Sequence, residues 1–229
     1  MDIKIADVIT SAAGSFIGGM LVVWVTLGTA GIRDVRSKFG RPRIMAQKRR
    51  APEDLFFGIE LGAPASAVRD LLGTPSRTRE KWWGYRFVDG LISIEFADDQ
   101  SVLTLALAIT NSDATFSFPW FEDYPPLGTL TLDRVIFEQT DLAFRESLRH
   151  QELVTYTRAG PTGAWINYTF GALSPLAQGD LADTHFDWDR ETETLKTPTN
   201  EVRVNWVAIS AMSGPAFFPW DLGVAHVGA

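Results

Sequence analysis

Hydrophobic and polar positions follow three different patterns along this chain. From Val8 to Ile32 there is no charge, and Val8, Ile9, Phe16, Ile17, Met20, Leu21, Val22, Val23, Trp24, Val25 and Leu27 make the stretch strongly apolar. At about 1.5 Å per residue a helix of that length exceeds the ~30 Å hydrocarbon core, so residues 8–32 are expected to form a transmembrane helix behind a short tail, residues 1–7. A cleaved signal peptide would need a basic start, whereas Asp2 and Asp7 flank Lys4. Further on, Val68, Leu71 and Leu72 share one side of a short helix over residues 65–73, which Gly73 and Pro75 end. The period then changes to two. Between Lys81 and Val88, Trp83, Tyr85 and Phe87 alternate with Trp82, Gly84 and Arg86, the pattern of a half-buried strand. Asp89-Gly90 signals a tight hairpin into Leu91–Phe96, and Asp98-Asp99-Gln100 a second turn into Val102–Ile109.

Several of these features recur in the same order. Leu61-Gly62, Trp82-x-x-Tyr85-x-Phe87, Val102, Ala108-Ile109-Thr110 and Phe118-Pro119-Trp120 are answered by Leu127-Gly128, Trp165-x-x-Tyr168-x-Phe170, Val202, Ala208-Ile209-Ser210 and Phe218-Pro219-Trp220. The spacing grows from 66 to 83 to 100 residues, which implies duplication with two insertions in the second copy. The expected class is therefore α+β: an N-terminal transmembrane helix followed by two tandem helix-plus-antiparallel-sheet repeats. The boundaries are a basic linker at 33–53, a first repeat at 54–121, a second at 122–220 and a tail at 221–229. In the second repeat, 130–138 and 141–150 are read as the helical region, with Leu130-Thr131-Leu132 and Val135-Ile136-Phe137 as strand-like alternatives, and strands follow at 152–158, 163–170, 185–189 and 202–210.

Charge divides the chain. Residues 1–50 carry a net +6, which leaves −13 for residues 51–229 out of a total of −7. An acidic body disfavours nucleic acid, whose phosphates need clustered Lys and Arg. The basic residues Arg33, Arg36, Lys38, Arg41, Arg43, Lys48, Arg49 and Arg50 sit directly after the apolar stretch and suit contact with anionic lipid. By the positive-inside rule they predict a single-pass protein of the cell membrane with a cytoplasmic body, an extracytoplasmic body being the alternative. Gly14, Ser15, Gly18 and Gly19 would let a second membrane helix approach closely. The sequence has no cysteine, which excludes disulfides and thiolate metal sites.

The run Gly58-Ile59-Glu60-Leu61-Gly62, then Val68 to Gly73-Thr74-Pro75-Ser76, then an aromatic strand, resembles the small lipoprotein of the outer-membrane barrel-assembly machinery and the related β-lactamase-inhibitor-protein fold. The resemblance spans mainly residues 58–109. In the inhibitor protein that unit occurs in tandem, and what it implies is binding and assembly rather than catalysis. This chain lacks the lipidated cysteine of the lipoprotein.

Candidate chemistry is sparse. Asp183-x-His185-x-Asp187-x-Asp189 would place four ligand atoms on one face of a strand, but same-face residues lie about 6.6–6.8 Å apart, so one metal cannot easily reach all four. The other histidines, His150 and His226, form no spacing suited to a triad, and no phosphate-binding loop or cofactor motif is present. Trp82, Trp120 and Trp220 are the candidate partner-binding residues, since exposed Trp is a frequent hot spot. The expected function is a membrane-anchored, non-catalytic interaction or assembly module, whose partners are other membrane proteins met through the helix and the sheet face. The alternatives are a metal-dependent hydrolase using Asp183 to Asp189 and a tethered small-ligand sensor.

Overall fold

The computed structural model describes residues 47–118, 123–135, 142–147, 150–160, 165–175 and 181–219. After two short helices, α1 (Leu55–Gly58) and α2 (Ala65–Leu72), the chain forms β1 (Arg77–Arg79), β2 (Trp82–Arg86), β3 (Gly90–Phe96) and β4 (Val102–Ile109). A 3-10 turn at Leu132–Arg134 precedes β5 (Leu142–Glu146), β6 (His150–Ala159) and β7 (Ile166–Pro175). The small hairpin β8 (Trp188–Asp189) and β9 (Thr194–Leu195) then leads to β10 (Trp206–Ser210).

This corrects the expected class. Eight strands join one antiparallel sheet in the order β1-β2-β3-β4-β10-β7-β6-β5, in place of two separate helix-plus-sheet units. The reason lies in β10, whose five residues are buried throughout, so that each of its edges requires a paired strand. It takes β4 on one side and β7 on the other. Part of the expected second helical region is also strand: β5 alternates Leu142 and Phe144, packed on the main core, with Ala143 on the other side. The single-pass helical description is corrected likewise. Among the described residues no helix is long and apolar enough to cross a membrane, and the eight residues of α2 span only about 12 Å. The apolar stretch 8–32 lies outside the described residues.

At the centre of the sheet Leu107 faces Val207, two residues separated by the same 100 positions as Ala108 and Ala208. Strands follow outward from this pair as β4, β3, β2, β1 on one side and β10, β7, β6, β5 on the other. The Trp-x-x-Tyr-x-Phe recurrence does not obey that arrangement. Its first copy lies on β2, two strands from the central pair, and its second on β7, beside β10. What the two share is an aromatic alternation that points Tyr85, Phe87, Tyr168 and Phe170 into the same core.

That core lies on one face of the sheet. Trp83, Tyr85, Ile92, Ile94, Leu105, Leu107, Val207, Ile209 and Phe170 supply the sheet side. Against them pack Leu55, Phe56 and Ile59 of the α1 region, Val68 and Leu72 of α2, and Phe118, Leu130 and Leu132. Toward β5 the covering role passes to the β8–β9 hairpin, where Trp188 stacks on Phe144 at 4.9 Å between ring centroids. The second face is chemically different. It carries the alternate residues, among them Leu91, Ala106, Ala108, Trp206, Ala208, Val154 and Leu173, which form a separate apolar cluster.

Candidate interaction site

Register puts two cross-strand rows on the second face. One runs Trp82, Glu95, Thr104, Ser210, Asn167, Arg158 over six adjacent strands. Its members are linked: Thr104 donates to or accepts from Ser210 at 2.9 Å, Thr104 Oγ1 donates to Glu95 at 3.2 Å, and Arg158 Nε donates to Asn167 Oδ1 at 2.9 Å. The next row is made of small residues, Gly84, Ser93, Ala106, Ala208 and Thr169, and ends at Tyr156. At the ends of β7 and β10, flanking the paired Asn167 and Ser210, stand Trp165 and Met212, each 49% exposed.

Across β6, β7 and β10 this face holds the segment that follows β10, residues 215–219. Phe218 is 1% exposed and meets Trp206 edge-on at 5.6 Å between centroids. The Trp206 indole lies against Gly171, where a Cβ would fall 2.0 Å from its Nε1, so only glycine admits the ring. Below Phe218 sits Glu152, the third residue of β6 and fully buried. Burying a carboxylate is costly unless charge and hydrogen bonds offset it, and here both are present. Arg145 on β5 donates to Glu152 Oε2 through Nε at 2.9 Å and Nη2 at 2.6 Å. Glu152 Oε1 accepts the Phe218 N–H at 2.9 Å, and Arg145 Nη2 also donates to the Phe218 carbonyl at 2.7 Å. The Arg145 guanidinium lies over the Phe217 ring at 4.5 Å, and Thr169 Oγ1 accepts the Ala216 N–H at 3.0 Å. One ion pair thus holds both polar main-chain groups of a single residue.

Trp82 is half-buried on the second face, at the end of the polar row. Trp120 and Trp220 lie outside the described residues, as do Gly14, Ser15, Gly18, Gly19, Arg33, Arg36, Lys38, Arg41 and Arg43. Of the basic residues that remain, Lys48 is exposed and the other two engage the domain. Arg49 donates to the Leu71 and Leu72 carbonyls at the end of α2 and stands over Phe87, and Arg50 lies 4.0 Å from Asp89. Asp183, His185 and Asp187 do project to one exposed side, His185 bonding Asp183 at 3.1 Å, while Thr184 and Phe186 face inward. They border an open depression of about 600 Å³ with Thr197, Glu201 and Arg203. Asp189 is committed elsewhere: it accepts the Glu191 and Thr192 N–H groups in the β8–β9 turn and pairs with Lys196, contacts that hold its carboxyl below the usual range. Among the described residues no three His, Asp or Glu converge in a way that could hold a metal.

Arg145, Glu152 and Trp206 are the functional candidates that sequence reasoning missed. The available signal was Glu152 itself, a carboxylate set beside Leu153 and Val154 in a strand pattern. Searches of protein-family models, curated proteins and solved structures find no match to this chain, so the resemblance to the barrel-assembly lipoprotein and the inhibitor-protein fold rests on the sequence alone.

Proposed function

We propose that this protein is a non-catalytic interaction module that receives an extended segment of a protein partner on the second face of its sheet. The observation that carries this reading is the capture of the Phe218 main chain by the buried Glu152 and its half-exposed partner Arg145. Side chains that satisfy both the N–H and the C=O of a bound residue hold a backbone whatever its sequence, and adjoining apolar surfaces then select side chains. Trp206 supplies such a surface, and Trp165 and Met212 add half-exposed residues of types enriched at interfaces. The carboxylates at 183–189 give no comparable support to a hydrolase, because Asp189 is tied into a turn and the other two stand free of any convergent third group.

Display of random dodecapeptides against the full-length chain tests the reading. Selected peptides should lose most of their binding when Trp206 is replaced by Leu or Trp165 by Ala. If no selected peptide responds to a substitution on this face, the proposal is wrong.

A further inference from the structure

We infer that the partner segment has the sequence form aromatic-aromatic-proline, and that the chain's own Phe217-Phe218-Pro219 occupies the site as an exchangeable resident. This rests on the interaction reading above and adds the chemistry of the ligand. Each position of the resident segment meets a distinct demand. The first ring lies on the Arg145 guanidinium, an arrangement that favours an aromatic face over an aliphatic side chain. The second is enclosed beside Trp206 in an edge-on contact, which an aromatic ring fills best. Its N–H is required by Glu152 Oε1, which excludes proline there. Proline suits the third position because it biases the residue before it toward an extended backbone.

The resident is joined to β10 by a lightly packed link. Ala211, Met212 and Ser213 are exposed, and a Cβ on Gly214 would meet nothing within 4 Å. Among the described residues three hydrogen bonds hold the link: the Ala211 N–H donates to the Leu103 carbonyl, Asn167 Nδ2 donates to the Met212 carbonyl, and the Met212 N–H donates to Ser210 Oγ. So short a tether keeps the resident at an effective concentration of the order of millimolar, which a free ligand must outcompete. The resident therefore sets a threshold: only a ligand that binds better, or is presented at high local concentration, displaces it.

Fluorescence anisotropy with a labelled synthetic peptide copying residues 214–219 tests this on the full chain. Phe218→Ala should empty the site and bind the peptide at least about tenfold more tightly than the parent chain. N-methylation of the peptide's second Phe should abolish that binding by removing the hydrogen that Glu152 accepts. Circular dichroism verifies that the variant is folded, and if Phe218→Ala unfolds, Phe217→Ala is assayed in the same way. A folded variant that binds no peptide, or that binds the N-methylated one equally well, overturns the inference. If the displayed peptides depend on the second face yet lack the aromatic-aromatic-proline form, the inference fails while the interaction reading stands. If none depends on that face, both fail.

Discussion

Two residues show how narrow the tolerances of this sheet are. Gly171 is required because the Trp206 indole occupies the space of a Cβ, 2.0 Å from Nε1. Overpacking of this kind costs up to about 3 kcal/mol, so Gly171→Ala should lower the unfolding free energy read from urea denaturation by an amount in that range and disturb the Phe218 contact as well. Gly62 makes the contrasting control, since it has a positive φ, 84°, which Gly171 lacks, and open space around it; Gly62→Ala should cost only about 1–2 kcal/mol of backbone strain. The other residue is Tyr85. Its hydroxyl is buried, with no hydrogen-bond partner among the described residues, and burial pushes its pKa up from 10.0 to about 12. A raised folded pKa gives stability that is complete below pH 10 and is lost as the pH climbs toward 12. Tyr85→Phe should therefore be stabilising by about 1 kcal/mol at neutral pH, because it removes an unsatisfied buried hydroxyl. It should also flatten the alkaline limb of a stability-against-pH curve; an unchanged limb would assign that loss to another group.

At the scale of elements, the β8–β9 hairpin owes its turn to a carboxylate. Asp189 accepts two backbone N–H groups and keeps its pKa below the ordinary 3.8, so the stability it gives is present above that value and lost as the pH falls through the folded pKa. Amide exchange of the hairpin should accelerate in acid below about pH 4, and Asp189→Asn should remove that dependence. The strands β2, β3 and β4 were legible from the sequence because their turns are explicit at Asp89-Gly90 and Asp98-Asp99-Gln100, and their alternation is regular. β5 was not. Leu142, Arg145 and Glu146 have helix-like spacing, and it is pairing with β6 that makes the segment a strand, a tertiary effect that overrides local preference. The candidate site was half legible for the same kind of reason. Phe218 stood out through its recurring Phe-Pro-Trp setting, but that it meets Glu152, 66 residues away, depends on a register that no local pattern encodes.

For the whole molecule, the decisive link is the one between β4 and β10. Recurring triplets were readable in the chain, yet their recurrence does not say how the strands that carry them pair. The answer depends on β10 being apolar on both faces and needing a neighbour on each edge. That pairing has a consequence for how the protein is made. A ribosome delivers Val102–Ile109 about a hundred residues before Trp206–Ser210, so for much of synthesis the most apolar strand of the first half waits with a bare edge. Such a strand is the most exposed point of the nascent chain to pairing with another chain, and chaperone protection during translation matters there more than anywhere else in the molecule.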